Sequence, residues 1–315
     1  MTLQEAIDQY VECKLALGAC FDCPARFLRR CGRAAGPEIR CDEVTPGKAG
    51  EFLSAGDCGP NTRAWRYSVL GGFYRFAIGR GWAQRSPLPP RAPARVPPAP
   101  PYIYTRQEVQ CLLDGTKTYT SRVCQLEPHT LRTLILLLYA TGLRPGEALR
   151  LKRSDLDLAQ GLLRVRDAKG GKQRLVALCP ALVQALRTYD RHERPHAVDD
   201  WEQEAFLLNR DGTPLNRETV RYNFRKLCQS VGIRRGDRAR GQPRLHDLRH
   251  TFATDRVTAW YREGRDLRRL LPTLSTHLGH VSLSGTQVYL SMTPELLLQA
   301  SLRFERYAQG GGGLP

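Results

Sequence analysis

Leu245-His246-Asp247-Leu248-Arg249-His250-Thr251-Phe252-Ala253-Thr254 sets a histidine and an arginine three positions apart at what reads as the start of a helix. At that spacing both side chains can point at one spot. Arginine is a permanent cation that grips a phosphate with two parallel hydrogen bonds, and histidine exchanges a proton near neutral pH. Upstream stands Thr141-Gly142-Leu143-Arg144-Pro145-Gly146-Glu147; downstream come His277-Leu278-Gly279-His280 and then Tyr289. Gly142 ends an apolar helix and Pro145 suits the first turn of the next, so Arg144 sits at a helix N-terminus, where the backbone also favours an anion. Two arginines, two histidines and a tyrosine in this order suit an enzyme that attacks a phosphodiester with a tyrosine.

The Gly-Leu-Arg box at Arg144, the His-x-x-Arg box at His246 and Arg249, the Leu-Gly-His at His280, and Tyr289 together resemble the tyrosine recombinases: phage integrases, chromosome-dimer resolvases and related transposases. Each box alone is a weak signal; the four in order and at this spacing are a strong one. The resemblance covers residues 103–308 and extends loosely over 1–85. It implies strand exchange through a 3′-phosphotyrosyl link without metal, ATP or nucleotide cofactor. It also implies a homotetramer on two DNA sites, with room for accessory DNA-binding or co-recombinase proteins. One departure is the stretch Leu270–Thr276, where this chain is about one helical turn longer than common integrases.

Breaking a phosphodiester without metal needs a nucleophile in line with phosphorus and cations for the non-bridging oxygens. It also needs a proton for the leaving oxygen and an acceptor for the nucleophile's proton. Tyr289 is the expected nucleophile, and Arg144 and Arg249 the expected clamp. The bland alternative for the arginines is a structural salt bridge with Glu147 or Asp247. Glu147 is common in the family's first box and is expected to orient that turn; Asp247 is expected to support its helix start. His280 is expected to donate to a phosphate oxygen, and His246 to accept the tyrosine proton or hold the phosphate. His250 and His277 are read as packing residues. The family places a general-acid lysine on a hairpin between the two arginines. Lys169-Gly170-Gly171-Lys172-Gln173-Arg174 has that form, with Lys169 preferred and Lys172 its rival.

The 315 residues allow two domains, and 48 Lys and Arg against 31 Asp and Glu give a net charge of +17. Such a balance points to a polyanion, here double-stranded DNA. The densest basic run, 221–240, is either a phosphate-tracking loop or a solvated face. The start lacks a basic-then-apolar leader and no apolar run reaches the length of a membrane span, so no membrane association is expected. The expected place is the cytoplasm, on the nucleoid, with thiols reduced. Cys20-x-x-Cys23 invites a zinc reading, but no histidine lies in the first 128 residues, and free helical or core cysteines are preferred.

Residues 86–102 form a proline-rich linker, eight of the chain's 21 prolines falling within 86–101. It separates a helical DNA-binding domain, 1–85, from a catalytic domain, 103–309; residues 310–315 form a flexible tail. The linker suits a clamp around a duplex or a plain spacer. In the first domain Thr2-x-x-Glu5 caps a helix, a second is expected around Cys23–Cys31, and a third follows Asn61. On the third, Trp65, Val69, Phe73 and Phe76 read as the buried stripe, leaving Arg63, Arg66, Arg75 and Arg80 for phosphates. In the second domain Thr105-x-x-Glu108 opens a short helix to Leu113 and 129–140 is an apolar core helix. Leu162–Arg166 and Arg174–Leu178 pair as a hairpin, with Phe206–Leu208 as a third strand. A last helix from Thr293, with Leu297, Ala300 and Phe304 on one face, docks either on a neighbouring protomer or on its own domain.

The expected fold is therefore mainly α with a small antiparallel β-sheet, and the expected function is site-specific DNA recombination, integration or transposition. The alternatives are a type IB topoisomerase-like DNA relaxing enzyme, or a non-catalytic DNA-binding regulator on the same fold.

Overall fold

The computed structural model describes residues 1–97, 99–119, 125–168, 172–196, 205–236 and 241–279, together with 298 and 301. Backbone contacts divide the chain into two units, 1–98 and 99–315.

The first unit is four helices: α1 (Leu3–Ala16), α2 (Asp22–Ala35), α3 (Pro46–Ser54) and α4 (Pro60–Gly79). α1 starts where the capping box predicts, with Glu5 N donating to Thr2 Oγ1 and Thr2 N donating to Glu5 Oε2. Leu3, Ile7, Leu28, Phe73 and Tyr74 fill the core. The buried side of α4 differs from the predicted stripe. Trp65 is exposed, whereas Arg66 is buried and donates to Leu53 O, Ala55 O and Cys58 Sγ. Its aliphatic stem packs while its head ties down the end of α3, so it is no phosphate contact. The proline-rich stretch leans on α4: Tyr67 Oη donates to Pro89 O, and Asn61 pairs with Val96 through both its donor and its acceptor.

The second unit is built around α6 (Pro128–Thr141), whose Leu131, Leu134, Ile135 and Leu138 are fully buried. On it pack α5 (Arg106–Thr118), the single turn α7 (Pro145–Ala148), α8 (Pro180–Thr188) and α10 (Asp247–Arg262); α9 (Arg217–Ser230) packs on α5, and α11 (Leu267–Leu278) on α10. α5 carries its predicted capping box but runs five residues past Leu113. α11 is continuous through the longer stretch Leu270–Thr276, with Pro272 inside it.

The sheet is antiparallel in the order β1 (Leu156–Asp157), β2 (Leu162–Ala168), β3 (Lys172–Ala177). Leu163 faces Val176 and Val165 faces Arg174, with an irregularity between Val165 and Ala168. Phe206–Leu208 is not the third strand. It is a buried loop flanked by two isolated bridges, Lys152 with Ala205 and Leu208 with Pro214. A short apolar run reads alike as strand or as core loop.

Candidate active site

The site grows from two glycines. Gly142 ends α6 in the left-handed conformation (φ +66°), and a Cβ there would lie 2.4 Å from Phe252 Cδ1 and 3.0 Å from Leu278 Cδ2. α10 and α11 thus approach the end of α6 more closely than any side chain permits. Gly279 ends α11 in the same conformation, and its Cβ would lie 2.9 Å from an Nη of Arg174.

Three arginines from three elements meet on consecutive carbonyls at the end of α11. Arg174 of β3 donates from Nε to His277 O at 2.8 Å. Arg249 of α10 donates to Leu278 O at 2.6 Å, and also to Gly142 O at 2.8 Å. Arg144, the N-cap of α7, donates to Gly279 O at 2.7 Å. A helix C-terminus presents carbonyls without helical partners and partial negative charge, so guanidinium groups are stabilised there. The backbone that leads into His280 is held by these bonds.

Glu147 binds the arginines to one another. Its Oε2 accepts from Arg144 N at 2.9 Å and from Arg174 Nη2 at 2.8 Å; its Oε1 accepts from Arg144 Nη1 at 2.8 Å and Arg174 Nη1 at 3.2 Å. Burial pushes this carboxyl up, but the bonds from Arg174 and Arg144 outweigh it and hold the pKa at about 2. Two arginines against one carboxylate leave positive charge for a phosphate.

His246 is the N-cap of α10 and meets His250 edge-on, with ring centroids 5.0 Å apart. Burial, with Arg249 beside it, lowers its pKa to about 4, so the ring is neutral at pH 7. Asp247 accepts from Arg244 N and Arg244 Nη2, each at 2.9 Å, which fits the expected support of the helix start. His277 stacks on Phe252 and its Nε2 meets Thr141 O at 2.8 Å, a packing role.

Of the six predicted catalytic residues, Arg144, His246 and Arg249 are gathered at this corner. Lys169, His280 and Tyr289 lie outside the described residues, as does the last helix apart from residues 298 and 301. Sequence reasoning gave Arg174 no role. The strand pattern hides it: Arg174 shares the inward face of β3 with Val176, while Leu175 between them points to solvent, against the usual alternation.

The phage integrase family model matches residues 103–295. The integrase/recombinase y4rE of Sinorhizobium fredii is 34% identical over 302 residues, which span 96% of this chain and 95% of that protein. The chain belongs to the phage integrase family. A second Sinorhizobium fredii relative, integrase/recombinase y4rB, is 38% identical over 226 residues, covering 70% of this chain and 72% of its own. Among solved structures, the Tn1549 transposon integrase in complex with a circular intermediate DNA superposes with a TM-score of 0.67 at 17% identity, covering 97% of this chain and 99% of that one. At that identity the likeness speaks for the fold: mainly helical with a small antiparallel sheet.

Proposed function

We propose that this tyrosine recombinase cuts and rejoins double-stranded DNA at specific sites through a 3′-phosphotyrosyl link on Tyr289. The Tyr289 oxygen attacks phosphorus, and the bond to the 5′-oxygen breaks. The departing oxygen takes a proton from Lys169 on the hairpin. His246, neutral at pH 7, takes the tyrosine proton. Arg144 and Arg249 neutralise the charge that develops on the non-bridging oxygens, and His280 donates a further hydrogen bond. In the second step a 5′-hydroxyl of the partner duplex attacks phosphorus and the bond to Tyr289 breaks. Bond energy is conserved in the ester, so neither step draws on a cofactor. Four protomers on two duplexes carry out the exchange on the nucleoid, the last helix of one docking on the next; accessory proteins bind beside them.

The observation that carries this reading is the meeting of Arg144 and Arg249 on adjacent carbonyls, Gly279 O and Leu278 O, immediately before His280. A nicked suicide duplex built from the DNA flanking the gene tests it. Wild type is expected to be trapped as a covalent complex, and Tyr289→Phe to bind the duplex without being trapped, since binding rests on many phosphate contacts. Trapping of the Phe variant at wild-type yield would remove Tyr289 from its role.

A further inference from the structure

We propose that Arg174 is a positioning residue for strand cleavage: it fixes Glu147, and through Glu147 the Arg144 guanidinium, against the carbonyl corner that leads into His280. The proposal rests on the strand-cleavage reading above and extends it to a residue that touches no substrate.

Arg174 breaks the pattern of its own strand. Opposite it on β2 is Val165, and two positions along β3 is Val176, both buried; Leu175 between them is 62% exposed. An arginine turned inward while its leucine neighbour faces water runs against the hydrophobic alternation of a strand. Taking a guanidinium out of water is costly unless its donors are met. Here three of its five donors are met within the protein. Nε donates to His277 O, and the two terminal nitrogens fork onto the two oxygens of Glu147. Its side chain is 10% exposed and that of Glu147 is 3% exposed, so neither is a surface pair held loosely by solvent. Gly279 leaves space for this fork, since a Cβ there would press on the Arg174 guanidinium.

The fork matters because Glu147 has two masters. Arg144 binds it through backbone N and through Nη1, and Arg174 through both its terminal nitrogens. With Arg174 removed, the buried carboxylate keeps only Arg144. It must then either draw Arg144 toward itself or take up a proton, and both move the guanidinium that the phosphate needs. Among the described residues, the other charged or titratable groups at this corner are Arg249 and His246 on α10 and His277 on α11. His277 is engaged with Thr141 O, and Arg166 on β2 pairs with Asp155, so Arg144 and Arg174 are the partners that set Glu147. The hold that keeps its pKa at about 2 is shared between them.

The test compares wild type, Arg174→Ala, Arg174→Lys and Glu147→Gln as full-length proteins on the same suicide duplex. Arg174→Ala is expected to form the covalent complex about 100-fold more slowly, the effect of misplacing a reacting group by about an ångström. Its affinity for the duplex in a mobility shift should stay within about threefold, because binding is spread over many phosphates. Replacing the 5′-bridging oxygen by sulfur should not restore the rate, because the defect lies in the clamp and not in protonation of the leaving group. Arg174→Lys keeps the charge without the fork, so it should stay slow. In Glu147→Gln the additional loss of Arg174 should cost little, since both act through one link.

A wild-type rate in either Arg174 variant overturns the proposal. So does rescue by sulfur, which would place Arg174 with the hairpin lysine. Duplex affinity and melting lowered in step with activity in Arg174→Ala would reduce it to a structural tie. If Arg174→Ala does not fold, Arg174→Lys decides alone: slow cleavage with wild-type duplex affinity supports positioning, and wild-type speed refutes it. Absence of Tyr289-dependent trapping in wild type is a separate failure, that of the cleavage reading.

Discussion

Arg249→Ala is expected to lose stability as well as catalysis, whereas Arg144→Ala loses catalysis almost alone. Both arginines are read as phosphate clamps, yet their surroundings differ. Arg249 is 2% exposed and ties the end of α6 to the end of α11 through Gly142 O and Leu278 O. Its loss strands two carbonyls where water enters poorly, at about 1–3 kcal/mol each. Relief from burying a guanidinium offsets part of that cost, so the net should lie near the low end, about 2–3 kcal/mol. For a unit of this size each kcal/mol moves the melting temperature by roughly 2–4 °C, giving a fall of roughly 4–12 °C. The Arg144 side chain is 31% exposed, and Glu147 keeps Arg174 when Arg144 goes. Water can replace much of what Arg144 does, and a fall below about 3 °C is expected. Both variants should lose covalent trapping by about 100-fold or more, as transition-state charge partners do. Thermal melts at pH 7 with single-turnover trapping read both quantities. Equal melting shifts, or a larger shift for Arg144→Ala, would refute the distinction between a buried tie and a half-open clamp.

Gly279→Ala should cost about 1–2 kcal/mol in melting for its left-handed backbone, and should slow trapping beyond what that implies, because the new methyl meets the Arg174 guanidinium at 2.9 Å; trapping at wild-type speed would show that the corner tolerates displacement. His246 and His250 each have a pKa lowered to about 4, chiefly by burial, with Arg249 beside the first and His246 beside the second. A depressed histidine pKa means that stability is complete above the ordinary value near 6.5 and is lost as pH falls from there toward 4. Melting temperatures should decline over that window and His250→Asn should flatten the decline; a slope that the substitution leaves unchanged would refute it. Lys169→Ala should fail on a normal 5′-oxygen and recover on a 5′-bridging phosphorothiolate, whose sulfur leaves without a proton; recovery of Lys172→Ala instead would exchange the two lysines.

Much of the fold was legible because local chemistry and burial agree. Both Thr-x-x-Glu boxes cap helices, Gly142 closes α6 in the left-handed conformation, and β2 pairs with β3 antiparallel. The misreadings fall where two patterns compete. On α4 apolar residues occupy more than one side, so the stripe at Trp65, Val69, Phe73 and Phe76 and the buried set at Ala64, Leu70, Phe73, Tyr74 and Ala77 both fit helical spacing. Only the carbonyls left over at the end of α3, which take in Arg66, choose between them. Phe206–Leu208 is apolar because it is covered, and burial alone does not make a ladder.

The site was legible as residue types and not as a mechanism of support. Spacing along the chain says that Arg144, Arg249 and the Leu-Gly-His box belong to one reaction; it does not say that two of the boxes hold the third. The arginines of the first and second boxes close on the carbonyls of Gly279 and Leu278, and the inward arginine of β3 closes on that of His277. The glycine of the third box is thereby explained twice, by its left-handed turn and by the space it leaves for the Arg174 guanidinium. A guanidinium has five N–H donors. Among the described residues Arg144 spends two, on Glu147 Oε1 and Gly279 O. A phosphate can therefore be gripped by the remaining donors without breaking the ties that aim the group. Charge fixed in place before the substrate arrives needs no reorganisation at the moment of reaction, which is how oriented donors lower a barrier.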